Sequence, residues 1–161
     1  HHGEAAALGS YGLALQDAGR YAEAIQAHSQ DVRLCEETGD RHALAEALDN
    51  LGLAHRRAGQ VDDAVAVYRQ SAEIFQEVGD LSMEGLAIGG SGRAFEEVGR
   101  FDEAIQAYRD AVQSFRNAND RENLLMALET LGITLLKAGL NEESDKVREE
   151  FMTLASALDD R

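Results

Sequence analysis

The sequence predicts an all-α fold of eight helices paired into four hairpins, and three observations carry that prediction. There is no proline in 161 residues, so no helix interior loses a donor or clashes with its preceding turn on that account. Aromatic residues make up only 6% while alanine and leucine recur throughout, whereas sheet proteins draw more heavily on aromatic and β-branched side chains. Glycine recurs at Gly12, Gly52, Gly92 and Gly132, and again at Gly19, Gly59, Gly99 and Gly139, each time with a step of forty. Small residues at Ala24, Ala64, Ala104 and Ser144, and acids at Asp40, Asp80, Asp120 and Asp160, keep the same register. A period of this length marks stacked repeats, here 1–40, 41–80, 81–120 and 121–161.

Each repeat reads as two helices. In the second, Leu44, Leu48, Leu51 and His55 fall three or four apart between Ala43 and Ala58, the spacing of one helical face. Gly59 follows, placed to close that helix in the left-handed conformation. A second helix opens at Val61 with Asp62 and Asp63 at its positive end, and continues through Ala64, Val67, Tyr68, Ser71, Phe75 and Val78. Glu23, Asp102, Glu103, Glu142 and Glu143 take the matching places elsewhere. Gly39-Asp40, Gly79-Asp80 and Asn119-Asp120 are stop-and-cap pairs between repeats. The short linkers make successive helices antiparallel neighbours. Gly52 and Ala64 mark the place where a pair crosses closely.

The 44% hydrophobic content is that of a globular chain, and the length suits a single domain over 1–161. A formal net charge of −15 argues against nucleic acid and against an anionic membrane as partners. No apolar run approaches the roughly 20 residues of a spanning helix, and the N-terminus lacks the pattern of a signal peptide. The single cysteine, Cys35, makes no internal disulfide, so a reducing cytoplasm is the expected compartment. His1 and His2 read either as a tag remnant or as native, since His42 stands one period after His2.

Nothing points to catalysis or to a cofactor. His28 shares a column with Tyr68 and Tyr108, and Cys35 one with Phe75 and Phe115, which makes both core fillers. No histidine pair has helical metal spacing with an acid beside it, and the glycines end helices instead of forming a phosphate loop. Paired acids such as Glu36-Glu37 and Glu149-Glu150 are solvated faces.

The second repeat carries Leu48, Leu51-Gly52, His55, Ala64, Tyr68 and Ser71, and the third Ile88, Ser91-Gly92, Phe95, Ala104, Tyr108 and Ala111. In this pattern the chain resembles the tetratricopeptide repeat family along its whole length. The first repeat (Leu8, Tyr11-Gly12, Leu15, Ala24, His28) and the fourth (Leu128, Leu131-Gly132, Leu135, Ser144, Arg148) drift further. The family's commonest period is about 34, so the forty-residue period is similar to the long-helix branch of spindle-orienting scaffolds, kinesin light chains and bacterial signalling regulators. Abundant alanine, and arginine over lysine, fit a bacterial source.

The resemblance implies a right-handed α-solenoid whose first helices line a concave groove for a protein or peptide. The family's groove positions fall on Gly9, Ser10, Leu13, Gln16 and Asp17 in the first repeat, and on Asp49, Asn50, Leu53, Arg56 and Arg57 in the second. In the third they fall on Gly89, Gly90, Arg93, Glu96 and Glu97, and in the fourth on Glu129, Thr130, Ile133 and Lys137. Asn50 is open to two readings, a donor and acceptor for a ligand backbone or a solvated helix residue. Arg56, Arg57 and Arg93 point to an acidic segment or a C-terminal carboxylate, unless Asp49, Glu96 or Glu97 neutralises them. Gly85, Gly89, Gly90 and Gly92 forgo about 3–4 kcal/mol of helix propensity relative to alanine. Gly89 and Gly90 then leave room for a ligand, pack against a neighbour, or are locally soft, while Gly92 serves packing.

The last helix has Asp145 and Arg148 where earlier repeats are apolar, with Val147, Phe151, Leu154 and Leu158 as an inward stripe, the pattern of an end cap. The first helix has Ala5, Ala6, Ala7, Leu8, Tyr11 and Leu13 without polar replacement. That predicts further repeats or another domain before residue 1, with the chain as the docking or sensor region of a larger regulator. The alternatives are homo-oligomerisation through the bare N-terminal hairpin, and a sensor for a small molecule or signalling peptide.

Overall fold

The structure is a computed structural model and describes residues 2–159. Eight helices run in chain order among the described residues: α1 (His2–Asp17), α2 (Tyr21–Thr38), α3 (Arg41–Arg57), α4 (Val61–Val78), α5 (Leu81–Glu97), α6 (Phe101–Asn117), α7 (Arg121–Lys137) and α8 (Asn141–Asp159). The fold class is therefore the expected all-α one. The expected helix from Ala43 to Ala58 starts two residues earlier and ends one sooner, at Arg41–Arg57. Asp40 causes the early start, because its carboxylate accepts from the Ala43 backbone N–H at 3.0 Å. Asp120 does the same for Asn123 at 3.1 Å. At the other end Gly59 takes φ +76° and Asn119 takes φ +54°, the left-handed turns that release each chain into its next helix.

The helices fall into two compact units that divide between Asp80 and Leu81, the border of the second and third repeats. In the first unit α1 and α2 form one hairpin and α3 and α4 another, with α3 packed on both α1 and α2. The core comprises Leu15, Leu44, Leu48, Leu51, Tyr68, Ile74 and Phe75. The second unit repeats the plan, with α7 packed on α5 and α6, around Phe95, Ile105, Tyr108, Val112, Phe115, Leu128, Leu131 and Leu135.

The glycine column is where each hairpin closes. A Cβ built on Gly52 would lie 2.8 Å from the Tyr68 ring, and one on Gly92 2.7 Å from Tyr108. On Gly12 it would lie 2.4 Å from the His28 ring. His28 is thus the core filler its column implies, and burial lowers its pKa and keeps the imidazole neutral. Gly85 packs as well, its virtual Cβ only 2.6 Å from the Phe115 ring. Gly132 is the exception. The tyrosine column has become Arg148, and the nearest atom to a Cβ there is Val147 Cγ1 at 3.8 Å.

The polar replacements Asp145 and Arg148 are exposed, as the end-cap pattern implies. The last hairpin nevertheless leaves Ile133 (49%) and Met152 (62%) exposed beside an apolar hollow of about 340 Å³. Of the expected inward stripe, Val147, Phe151 and Leu154 are half-buried. At the other end Tyr11 (54%) and Leu13 (41%) stand exposed on α1. The remarks above on His1, His2, Ala5, Ala6, Leu158 and Asp160 concern side chains outside the described residues.

Candidate functional site on the first helices

In the first unit, α1 and α3 carry Gly9, Ser10, Leu13, Asp49, Asn50 and Leu53, and the structure gathers several of them. Gly9, Ser10, Leu13 and Asn50 line one hollow of about 350 Å³, whose remaining wall comes from α2 through Asp31 and Cys35 and from Glu46 on α3. Asp49 and Leu53 are half-buried on the same helix. Burial raises the Asp49 carboxyl to about 6, Arg56 opposes that rise, and Glu46 adds to it. The positive charge of Arg56 thus already acts on a carboxylate about two turns away.

Gln16 is a correction. Its column promised a groove residue, but the side chain is buried at 2% exposure and its amide donates to His28 Nε2 at 2.8 Å. The mixed column, Arg56, Glu96 and Leu136, hid that the first repeat turns this position inward to meet a polar ring.

Two of the expected binding cations brace neighbouring first helices. Arg57 lies 3.7 Å from Asp17, joining α3 to α1. Lys137 lies 2.6 Å from Glu96, joining α7 to α5. Glu96 also accepts from the Tyr108 hydroxyl at 2.9 Å. Burial alone would raise the Glu96 carboxyl, but the hydrogen bonds from Lys137 and Tyr108 outweigh it and leave the pKa lowered. Of the cations singled out in the second unit, Arg93 stands exposed on α5 and Lys137 is already engaged.

In that unit Gly89 has open space where a Cβ would stand, unlike Gly85 and Gly92, which meet rings. Gly90 and Thr130 are half-buried, Glu97, Glu129 and Ile133 are exposed, and the Thr130 hydroxyl is spent on the Met126 carbonyl at 2.9 Å. Glu129 and Ile133 border the apolar hollow of the last hairpin.

Six residues of the first hollow, Asp31, Cys35, Thr38, Ala43, Glu46 and Ala47, were not in the predicted set, and the first two matter most for its chemistry. Asp31 is a buried carboxylate, and Cys35 is a buried thiol pushed up to about 11, first by desolvation and then by Asp31. The signal was present in their columns, which hold Ser71 and Ala111 for the one and Phe75 and Phe115 for the other. Among the described residues no cluster of three or more His, Cys, Asp or Glu is placed to hold a metal ion. Among them, too, no helix is long and apolar enough to cross a membrane.

Paired antiparallel helices with glycine–ring closures in register define a helical-repeat protein. Family models described as tetratricopeptide repeat match residues 3–77 and 87–123. The chain belongs to the tetratricopeptide repeat family. No curated protein matches the sequence.

Solved structures share the fold. The kinesin light chain TPR-like repeats from Podosopora anserina are 18% identical with a TM-score of 0.78, over 98% of this chain and 77% of that one. Aspartyl phosphate phosphatase F from Bacillus subtilis is 13% identical with a TM-score of 0.85, over 98% of this chain and 41% of that one. A Rap protein complexed with competence and sporulation factor is 13% identical with a TM-score of 0.78, over 95% and 43%. The chain thus spans less than half the length of the latter two.

Proposed function

We propose that this chain is a polypeptide-docking module that uses the faces of its first helices, as the docking or sensor region of a larger regulator. The observation that carries this reading is the hollow of the first unit. It is walled by Gly9, Ser10, Leu13 and Asn50, which are positions the family devotes to its groove. That a Rap protein of the same fold is complexed with competence and sporulation factor supports it. Burial and then Asp31 push the Cys35 thiol up to about 11, away from the thiolate that nucleophilic chemistry uses, which favours binding over catalysis.

In the second unit the same reading assigns the α5 face, where Gly89 leaves open space and Arg93 is exposed. With Arg57 and Lys137 engaged as braces and Arg56 facing Asp49, attraction for an acidic segment or a C-terminal carboxylate rests on Arg93. Arg93→Glu then weakens a peptide with an acidic end and spares one without it.

The test is a peptide selected from a random display library against the full chain, with affinity read by fluorescence anisotropy. Asn50→Ala removes a donor–acceptor pair and weakens binding by about 2- to 10-fold, the worth of one hydrogen bond. Gln113→Ala, on the exposed side of α6, changes nothing. Equal affinities for the two variants contradict the assignment.

Exposed Tyr11 and Leu13 favour one second reading, self-association through the first hairpin. Light scattering decides it: a dimer that Tyr11→Ser dissociates supports it, and a monomer at all concentrations rejects it.

A further inference from the structure

The first hairpin departs from its sister repeats at two positions that meet in space. Where α4 and α6 carry the buried rings of Phe75 and Phe115, α2 carries the much smaller Cys35. Where they carry Ser71 and Ala111, α2 carries Asp31. Ser71 is satisfied locally, its hydroxyl donating to the Ala45 carbonyl at 2.8 Å. Asp31 has no such partner. Its Oδ1 accepts only the weak Cys35 thiol at 3.8 Å, while Oδ2 has no partner and lies 3.2 Å from where a Cβ on Gly9 would stand. The residue is 6% exposed, yet Oδ2 is not among the fully enclosed polar atoms left without a partner, so this oxygen stays open to an incoming donor.

The ring-sized space that Cys35 leaves is therefore a built hollow. Asp31 forms part of its wall, Leu13 and Ala47 give it apolar sides, and Glu46 and Asn50 add polar groups. Among the described residues two carboxylates and no cation line it. A compact positive head on an aliphatic stem matches that chemistry, because the stem packs on the apolar wall while the head reaches the carboxylate. An ammonium, a compact point charge, suits a single unpartnered oxygen better than a planar guanidinium, which seeks a fork of two acceptors.

We propose that this hollow receives a lysine side chain of the docked polypeptide, with Asp31 in its wall as the ion-pairing partner and Glu46 assisting. The inference deepens the docking reading above and rests on it for the source of the lysine. A net charge of −15 draws a basic segment toward the chain.

The test uses the full chain and a side-chain mimic, so it fails separately from the docking of any partner. Amide NMR shifts of Gly9, Ser10, Cys35 and Asn50 are followed during titration with n-butylammonium chloride, and in parallel with 1-butanol at matched ionic strength. Saturable shifts at these four amides with the ammonium and not with the alcohol are expected. Asp31→Ala and Asp31→Ser, the residues this column carries in the third and second repeats, keep the fold and abolish the response. Glu46→Gln weakens it only in part. Equal responses to the two compounds, or a response that survives both Asp31 variants, overturn the proposal. If spermidine shifts these amides at concentrations at least about tenfold below those needed for a lysine-containing peptide, the hollow belongs to a free amine and the lysine assignment falls.

Discussion

Around Asp49 three effects compete on α3: burial raises the carboxyl to about 6, Arg56 pulls it down and Glu46 pushes it up. Carbon-detected NMR of the side-chain carboxyl then gives a midpoint near pH 6, which Arg56→Gln moves upward and Glu46→Gln downward. The folded pKa lies above the unfolded one, so between roughly pH 4 and that midpoint the folded state holds the extra proton. Stability falls as pH rises through this window, and Asp49→Asn flattens the slope. A midpoint unchanged by either neighbour contradicts the account. Glu96 has the opposite sign, because its pKa is lowered, and its contribution disappears as pH falls through the folded value. At this scale the sequence was only partly legible. The column of Cys35 identified a core position, but only packing reveals that the missing ring leaves a hollow beside Asp31. Gln16 looked like a groove residue because nothing local records that His28 draws it inward.

Helices and hairpins were far easier to read. Glycine and asparagine in left-handed turns, aspartate caps and a forty-residue period are local signals, and each element appeared within two residues of its expected bounds where those were stated. What the pattern concealed was that one glycine column holds two kinds of position. A Cβ on Gly92 would collide with the Tyr108 ring, whereas one on Gly132 would meet only an ordinary contact with Val147 Cγ1 at 3.8 Å. Gly92→Ala forces a rigid ring to move and costs about 1–3 kcal/mol, whereas Gly132→Ala gains about 0.8–1 kcal/mol of helix propensity. Thermal unfolding of the two variants checks this, and shifts of the same sign refute the packing scheme. Ala104, fully buried, behaves like Gly92: Ala104→Phe lowers the melting temperature, while Gln106→Ala on the exposed face leaves it in place. The sequence assigned no role to Gly85 among the glycines of α5, and the Phe115 ring claims its space, whereas Gly89 is open. Gly89→Ala therefore stabilises the isolated chain and weakens any partner that uses that opening.

For the molecule as a whole, charge sets the terms of association. A chain at −15 repels acidic partners at long range and attracts basic ones, so docking through the first unit slows as salt rises, chiefly in the on-rate. Stopped-flow association at two ionic strengths reads this directly, and a salt-independent on-rate argues against a lysine-bearing partner. The first helices carry the claim on which the rest depends. Chemical-shift mapping of the full chain with a display-selected peptide tests it most directly: perturbations are predicted to concentrate on Ser10, Leu13 and Asn50 along α1 and α3. Perturbations confined to α2 and α4, or to the apolar hollow of the last hairpin, would contradict it.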